Sequence, residues 1–287
     1  MAKNTFTQEE STALAHQTMA VYEKQLAQYQ PATTDTLTAF QLTYSDHPVV
    51  VICYDNFPRE HIAVLQSQLA EAESRGYKSN SELLLFLHEF YSESDVAGGM
   101  VPMGTVQSNG AKAVGMGINT HRDMIKNQRR VLEHEYWHII DHAGDHSGAP
   151  ATDHYYVPNT EADGAAAVNH MTAAMGNRSL SAGNIYRAVR DVQLENVKRY
   201  ANQPTELFVH HRMCETAGLQ PGSMEGYHYS HDIMNCVVVF LSLLAHQMGV
   251  PRSMCRKVAE QFSLEITQDR RAFMAEMRDS DHAWLFS

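Results

Sequence analysis

The sequence predicts an α+β fold, predominantly helical, with a small antiparallel or mixed sheet. Three observations predict it. From about Met124 onward nearly every segment carries apolar residues at helical spacing. Before that point the period changes twice, at Phe40–Tyr54 and again at Ala113–Asn119, to the patterns of strands. The balance of 44% apolar and 19% charged residues over 287 positions is that of an ordinary globular chain and excludes wholesale disorder.

Taken in order, Thr7 to Gln28 alternates Ala, Leu, Met, Val and Tyr with Gln and Glu at helical spacing, and Pro31 follows as its stop. Phe40-Gln-Leu-Thr-Tyr44 alternates, Ser45-Asp-His-Pro48 is a turn, and Val49-Val-Val-Ile-Cys-Tyr54 is β-branched, which together predict a hairpin. Helices are expected over 59–75 and over 80–91. The second rests on Ser79-Asn80-Ser81 as a start signal before Leu83-Leu-Leu-Phe-Leu87. Gly98 to Gly110 reads as loop. Ala113 to Asn119 reads as a short strand whose glycines mark close approach of another backbone. Further helices are expected over 124–143, 160–175, 182–200, 204–217, 229–248 and 251–277. Loops rich in Gly, Pro, Asp and His separate them, notably 144–159 and 218–226. No repeat or low-complexity linker appears, so residues 1–35 are expected to form a helical appendage and 36–287 a single domain.

The net charge is −11 and no basic run interrupts it, which argues against a nucleic-acid surface and against an anionic membrane. The four cysteines, Cys53, Cys214, Cys236 and Cys255, include no C-x-x-C pair and read as reduced core thiols. The first ten residues lack an apolar secretory stretch, and no run is long enough to span a bilayer. A cytoplasmic chain is expected, with leaderless export as the other route.

The chemistry is concentrated in Val131-Leu-Glu-His-Glu-Tyr-Trp-His-Ile-Ile-Asp-His142, which contains H-E-x-x-H: His134, Glu135 and His138. Residues four apart lie one above the other on a helix, so both imidazoles can reach one metal ion. Glu135 then points to the side where a water would sit and can take its proton. By composition roughly 0.07 chance matches are expected, and the helical setting with Val131, Leu132, Ile139 and Ile140 on its buried face adds to the case.

This helix, preceded by the strand at 113–119, resembles the zincin metallopeptidases. The resemblance covers about 35 residues and implies zinc, a peptide or protein substrate, and β-addition of that substrate against Ala113–Asn119, taken as an edge strand. The metzincin pattern would need Gly at 141 and His at 144, where the sequence has Asp141 and Gly144. His142 is about 12 Å of helical rise from His134, too far to share an ion. Asp141 is placed to orient His138.

Two carboxylates compete as third ligand. Glu161 lies in a first helical turn in Asn159-Thr-Glu-Ala-Asp163. Glu206 lies in another, in Tyr200-Ala-Asn-Gln-Pro-Thr-Glu-Leu-Phe-Val-His-His-Arg212. The second string is similar to that of lethal-factor-type toxin peptidases and of metallopeptidase domains in phage polyvalent proteins. That likeness implies a gluzincin with Glu206 as ligand, Tyr200 as the electrophile and His210 in the outer shell. At Tyr227-His-Tyr-Ser-His231, either His228 or His231 is a candidate oxyanion donor, against the plainer reading of a polar helix cap. His146, His154, His210 and His211 read as surface histidines by position alone. Phe90, Tyr91, Tyr155, Tyr156 and Trp284 read as packing aromatics, and the 15 methionines as core fillers.

The function expected is therefore a zinc metallopeptidase with Glu135 as general base. The alternatives are a helical interaction protein with a structural or residual zinc, and a zinc hydrolase acting on another bond.

Overall fold

The computed structural model describes residues 6–94, 96–121, 128–147, 161–231, 233–265, 275, 278 and 281–287, with the side chains of 161–164, 235 and 265 outside that description. Among the described residues the fold is α+β, 56% helical, with a mixed sheet of six strands. The chain forms two compact units, Met1–Ala149 and Pro150–Ser287, and each is taken by itself.

The first unit begins with α1 (Gln8–Gln25). Thr7 caps it: its hydroxyl accepts from Glu10 N–H while the Glu10 carboxylate accepts from Thr7 N–H, a capping box. The sheet follows as β1 (Gln30–Pro31), β2 (Leu37–Tyr44), β3 (His47–Tyr54), β4 (Leu83–Tyr91), β5 (Gly98–Thr105) and β6 (Lys112–Asn119), with α2 (Arg59–Ser74) between β3 and β4. The strand order is β2-β3-β4-β6-β5, with β1 beside the end of β4. The hairpin expected at β2–β3 is present, antiparallel, with Tyr44 opposite His47. Its turn is only Ser45-Asp46, both at positive φ (52° and 65°), the backbone a two-residue type I′ turn demands.

Three expectations are corrected here. Residues 83–91 are a strand rather than a helix. Val49–Cys53 and Lys112–Asn119 run parallel on either side of it, and the strand is buried on both faces. Every position then favours an apolar residue, and the run loses the alternation that would mark a strand. The serines before it serve the turn, with Ser79 Oγ donating to Ser81 O. Residues 98–105 are strand β5, paired antiparallel to β6, not loop. It follows that 112–119 is an internal strand, with β4 on one side and β5 on the other. An incoming peptide cannot add to it. Among the described strands β5 and β2 carry the two edges.

The two sheet faces are covered differently. A Cβ on Gly99 would meet Tyr22 of α1, whereas one on its neighbour Gly98 would meet Val131 of α3 (Gln128–Gly144). Successive strand residues point to opposite faces, so α1 and α3 lie on opposite sides. On the α1 face Leu14 and Ala15 pack on Val50, Ile52, Leu84, Phe86 and Ala113. On the other face α2 and α3 pack together. Gln68 donates to Glu133 O at 2.8 Å, and the buried Tyr136 hydroxyl donates to His61 O at 2.9 Å.

The β6 glycines make room for side chains rather than for a backbone. A Cβ on Gly115 would lie 2.2 Å from Thr18, and one on Gly117 2.7 Å from His88. Tyr22, one helical turn after Thr18, enters the β5–β6 pairing itself. Its hydroxyl donates to Gly99 O and accepts from Gly117 N–H at 2.9 Å.

His88 is buried in this layer. It stacks on Phe86, with Nδ1 3.1 Å from Met116 O and Nε2 3.0 Å from the Tyr29 hydroxyl. Donation to the carbonyl and acceptance from the phenol describe a neutral ring. Burial holds its pKa down at about 4, below the ordinary 6.5. The unfolded chain therefore takes up this proton first as the pH falls. The stabilisation is complete above about pH 6.5 and is lost toward pH 4. Acidification from pH 7 to pH 5 should cost about 2 kcal/mol at this site. Burial lowers His61 and His142 in the same direction. In denaturant titrations the His88→Asn variant, which keeps a donor for Met116 O without a titrating ring, should show a flatter pH profile by that amount. Superimposable profiles would refute this assignment.

The second unit is helical: α4 (Glu161–Met175), α5 (Ala182–Ala201), α6 (Pro204–Ala217), α7 (Met224–His231), α8 (Ile233–Gln247) and α9 (Arg252–Glu265), with a short 3-10 turn at Ala283–Leu285. Met171, Val189, Val237, Phe240, Leu241 and Phe262 form its main core, and Val197, Ala201, Tyr227 and Ile233 a smaller one. Helix formation begins five residues before the expected Tyr229. The stretch expected to be a polar cap is buried: Tyr227, His228, Ser230 and His231 are all within the interior. Trp284 packs under the Arg252 guanidinium, 5.0 Å from its ring centroid. All four cysteines are buried, and burial raises the Cys214 and Cys255 thiols to about 11. No helix among the described residues is long and apolar enough to cross a membrane.

Candidate metal centre

The H-E-x-x-H segment lies on α3, an unbroken helix from Gln128. Its apolar positions Leu132, Tyr136, Ile139 and Ile140 are fully buried against the sheet layer. Its C-terminal carbonyls are held from outside: Lys112 Nζ donates to His142 O at 2.6 Å and to Ala143 O at 3.3 Å, and pairs with Asp145 at 2.6 Å. A cation there also faces the negative end of the helix dipole.

On this helix His138 and Glu135 are each 7% exposed and His134 is half-buried. The Nε2 atoms of His134 and His138 are 3.1 Å apart. Two nitrogens sharing a tetrahedral ion at about 2.05 Å would stand about 3.3 Å apart, so the pair needs almost no adjustment to take one ion. The Glu135 charge acts on the buried Tyr22 phenol, whose pKa is raised well above 10, first by burial and then by that charge.

In the second unit Glu206 occupies the first turn of α6, where Pro204 opens the helix and the dipole favours a carboxylate. It is 2% exposed. The Tyr200 hydroxyl, from the last turn of α5, donates to Glu206 Oε1 at 2.7 Å, and His231 Nε2 stands 3.5 Å from Oε2. His134 and His138, on one helix of the first unit, each offer a ring nitrogen to an ion, and Glu206, in the second unit, offers a buried carboxylate oxygen. Of the two carboxylates weighed from sequence, Glu206 is the one whose side chain lies among the described residues. Glu161 opens α4, and its side chain lies outside the described residues, as do His154, Tyr155 and Tyr156.

Several expectations about neighbouring residues change. Asp141 does not serve His138 as expected; its carboxylate accepts from the Ser147 amide at 2.6 Å and from the Ser147 hydroxyl, closing the chain after α3. His142 stays outside the ligand group, two helical turns from His134. His210 is 1% exposed rather than on the surface. It lies flat on Tyr227 (centroids 4.5 Å, 9° between planes), and its Nε2 accepts from Gly222 N–H at 3.0 Å. His231, expected as a cap or an oxyanion donor, faces the Glu206 carboxylate. No local sequence signal pairs residues 206 and 231. Compared with known proteins, the chain matches no family model, no curated protein and no solved structure.

Proposed function

We propose that this chain is a zinc-dependent peptidase of gluzincin type, with His134, His138 and Glu206 as ligands and Glu135 as general base. One observation carries the reading: the two histidines of the H-E-x-x-H helix hold their Nε2 atoms 3.1 Å apart, close to the separation that a shared tetrahedral ion sets, and the carboxylate singled out by resemblance is the third donor we assign. The donor set fits zinc, being two imidazoles and one carboxylate, with the base on the same helix.

When bound, zinc supplies Lewis acidity, lowering the pKa of a water and polarising a carbonyl. The protein supplies the rest. The Glu135 carboxylate accepts the proton of the attacking water and hands it to the leaving amine nitrogen as the peptide C–N bond breaks. Tyr200 holds Glu206 Oε1; to act as electrophile its proton turns from that oxygen to the carbonyl oxygen of the substrate. An extended substrate would add to β5, the edge strand beside β6, rather than to 113–119.

The test is metal content followed by a peptide screen on the purified full-length chain. One zinc per chain, with cleavage of mixed peptides that chelation abolishes and zinc restores, is the expected result. No uptake of added zinc would overturn the metal centre. Tight zinc without hydrolysis would leave a structural metal in an interaction protein.

A further inference from the structure

The buried polar chain behind Glu206 goes beyond the ligand set. His231 and Ser230 are each 4% exposed, yet neither is in the proposed metal group or in the catalytic step. His231 Nε2 faces Glu206 Oε2 at 3.5 Å, and its Nδ1 lies 2.6 Å from Ser230 Oγ. Ser230 Oγ is also 2.6 Å from His210 Nδ1 and 2.9 Å from Gly226 O. His210 Nε2 accepts from Gly222 N–H.

Proton counting gives this chain a direction. An Nε2 that accepts from a backbone amide carries no proton, so the neutral His210 ring has its proton on Nδ1 and donates to Ser230 Oγ. The serine's single proton goes either to Gly226 O or to His231 Nδ1, both within reach. When His231 Nδ1 accepts it, the ring's proton sits on Nε2, the nitrogen turned to the carboxylate. Tyr200 meanwhile donates to Oε1. The two oxygens of Glu206 thus face different helices: Tyr200 on α5 donates to Oε1, and His231 Nε2 on α7 stands 3.5 Å from Oε2. The two neighbours together restrict the carboxylate's terminal torsion, which is otherwise broad. A buried carboxylate fixed in this way meets an ion without first being ordered.

We infer that His231, set by Ser230 and His210, is a positioning residue that fixes the Glu206 carboxylate for metal binding. The inference rests on the reading of Glu206 as a metal ligand.

The experiment measures the affinity of the full-length protein for Zn2+ alone, by competition with a chromophoric chelator, and the visible spectrum of the Co2+ form. Glu206→Gln should bind zinc at least about 100-fold more weakly. His231→Phe should lose about 10- to 100-fold, the range for groups that orient metal ligands, with changed Co2+ bands. His231→Gln keeps a donor near the position of Nε2 and should stay within about threefold of wild type. Ser230→Ala should weaken binding about tenfold and decides the matter if His231→Phe fails to fold. If Glu206→Gln weakens binding while the foldable His231 and Ser230 variants bind as wild type, the positioning role is wrong and the ligand set stands. If Glu206→Gln binds zinc as tightly as wild type, the ligand set itself falls. A lowered melting temperature of the metal-free variants with unchanged Co2+ bands would show a merely structural role and overturn the inference.

Discussion

Glu135→Gln is expected to keep its zinc and its fold while losing about 10²- to 10⁴-fold in kcat. The change is isosteric, so the packing of α3 should survive it. Glu135 is 7% exposed, and a glutamine there keeps an acceptor and gains a donor but cannot take a proton. The loss corresponds to about 3–5 kcal/mol of transition-state stabilisation. KM should move little, because the carboxylate belongs to proton transfer and not to uniform substrate binding. Because Glu135 is not one of the proposed ligands His134, His138 and Glu206, zinc stoichiometry should remain one per chain, which separates this variant from a ligand mutant. Steady-state kinetics on a cleaved peptide, with metal analysis of the same sample, checks both halves. Unchanged turnover would remove Glu135 from the mechanism.

How much of this was legible in the sequence depends on where each signal resides. The H-E-x-x-H helix was, because i, i+4 histidines are a local pattern and local patterns survive any tertiary arrangement. Helix α6 was, from Pro204 at its start and Gly218 at φ +69° at its end. Strand β4 was not. Leu83–Leu87 is uniformly apolar because parallel neighbours and helices bury both of its faces, and such a run reads equally as a buried helix. Strand β5 was hidden by Gly98, Gly99, Pro102 and Gly104, which signal loop by propensity. Here two of them serve close packing, against Val131 and Tyr22. Missing β5 turned β6 into a supposed edge, so one local error became an error of topology. At the candidate site, Glu206 was singled out by resemblance to a short string, while its neighbour His231 was not. The two meet only through the packing of α6 on α7, and nothing in either segment announces the other.

Gly115→Val should destabilise the first unit by at least about 3 kcal/mol, at the upper end of overpacking costs. The geometry leaves little room for relief. A Cβ at 115 would stand 2.2 Å from Thr18 Cγ2, 2.3 Å from its Oγ1 and 2.8 Å from its Cβ. Thr18 is fully buried, and its hydroxyl is tied to Leu14 O at 2.9 Å, so rotating it aside is also costly. The remaining response is for α1 to lift from the sheet. That movement would carry Tyr22 with it. Four residues of helix rise about 6 Å and two residues of strand about 6.6 Å. Thr18 and Tyr22 therefore keep step with Gly115 and Gly117. Lifting the first pulls the Tyr22 hydroxyl from Gly99 O and Gly117 N–H, and so disturbs the edge strand. Gly183→Ala offers the opposite case. Its added Cβ meets nothing within 4 Å, on a helix, and the change should stabilise by up to about 1 kcal/mol. A double-mutant cycle isolates the contact. Thr18→Ala removes the two closest atoms and leaves only the 2.8 Å neighbour, so Gly115→Ala should cost about 1–2 kcal/mol less in that background than alone. Additive free energies from denaturant unfolding would mean that α1 does not press on Gly115. The spacing of glycines in β6 would then need a cause other than the helix that crosses it.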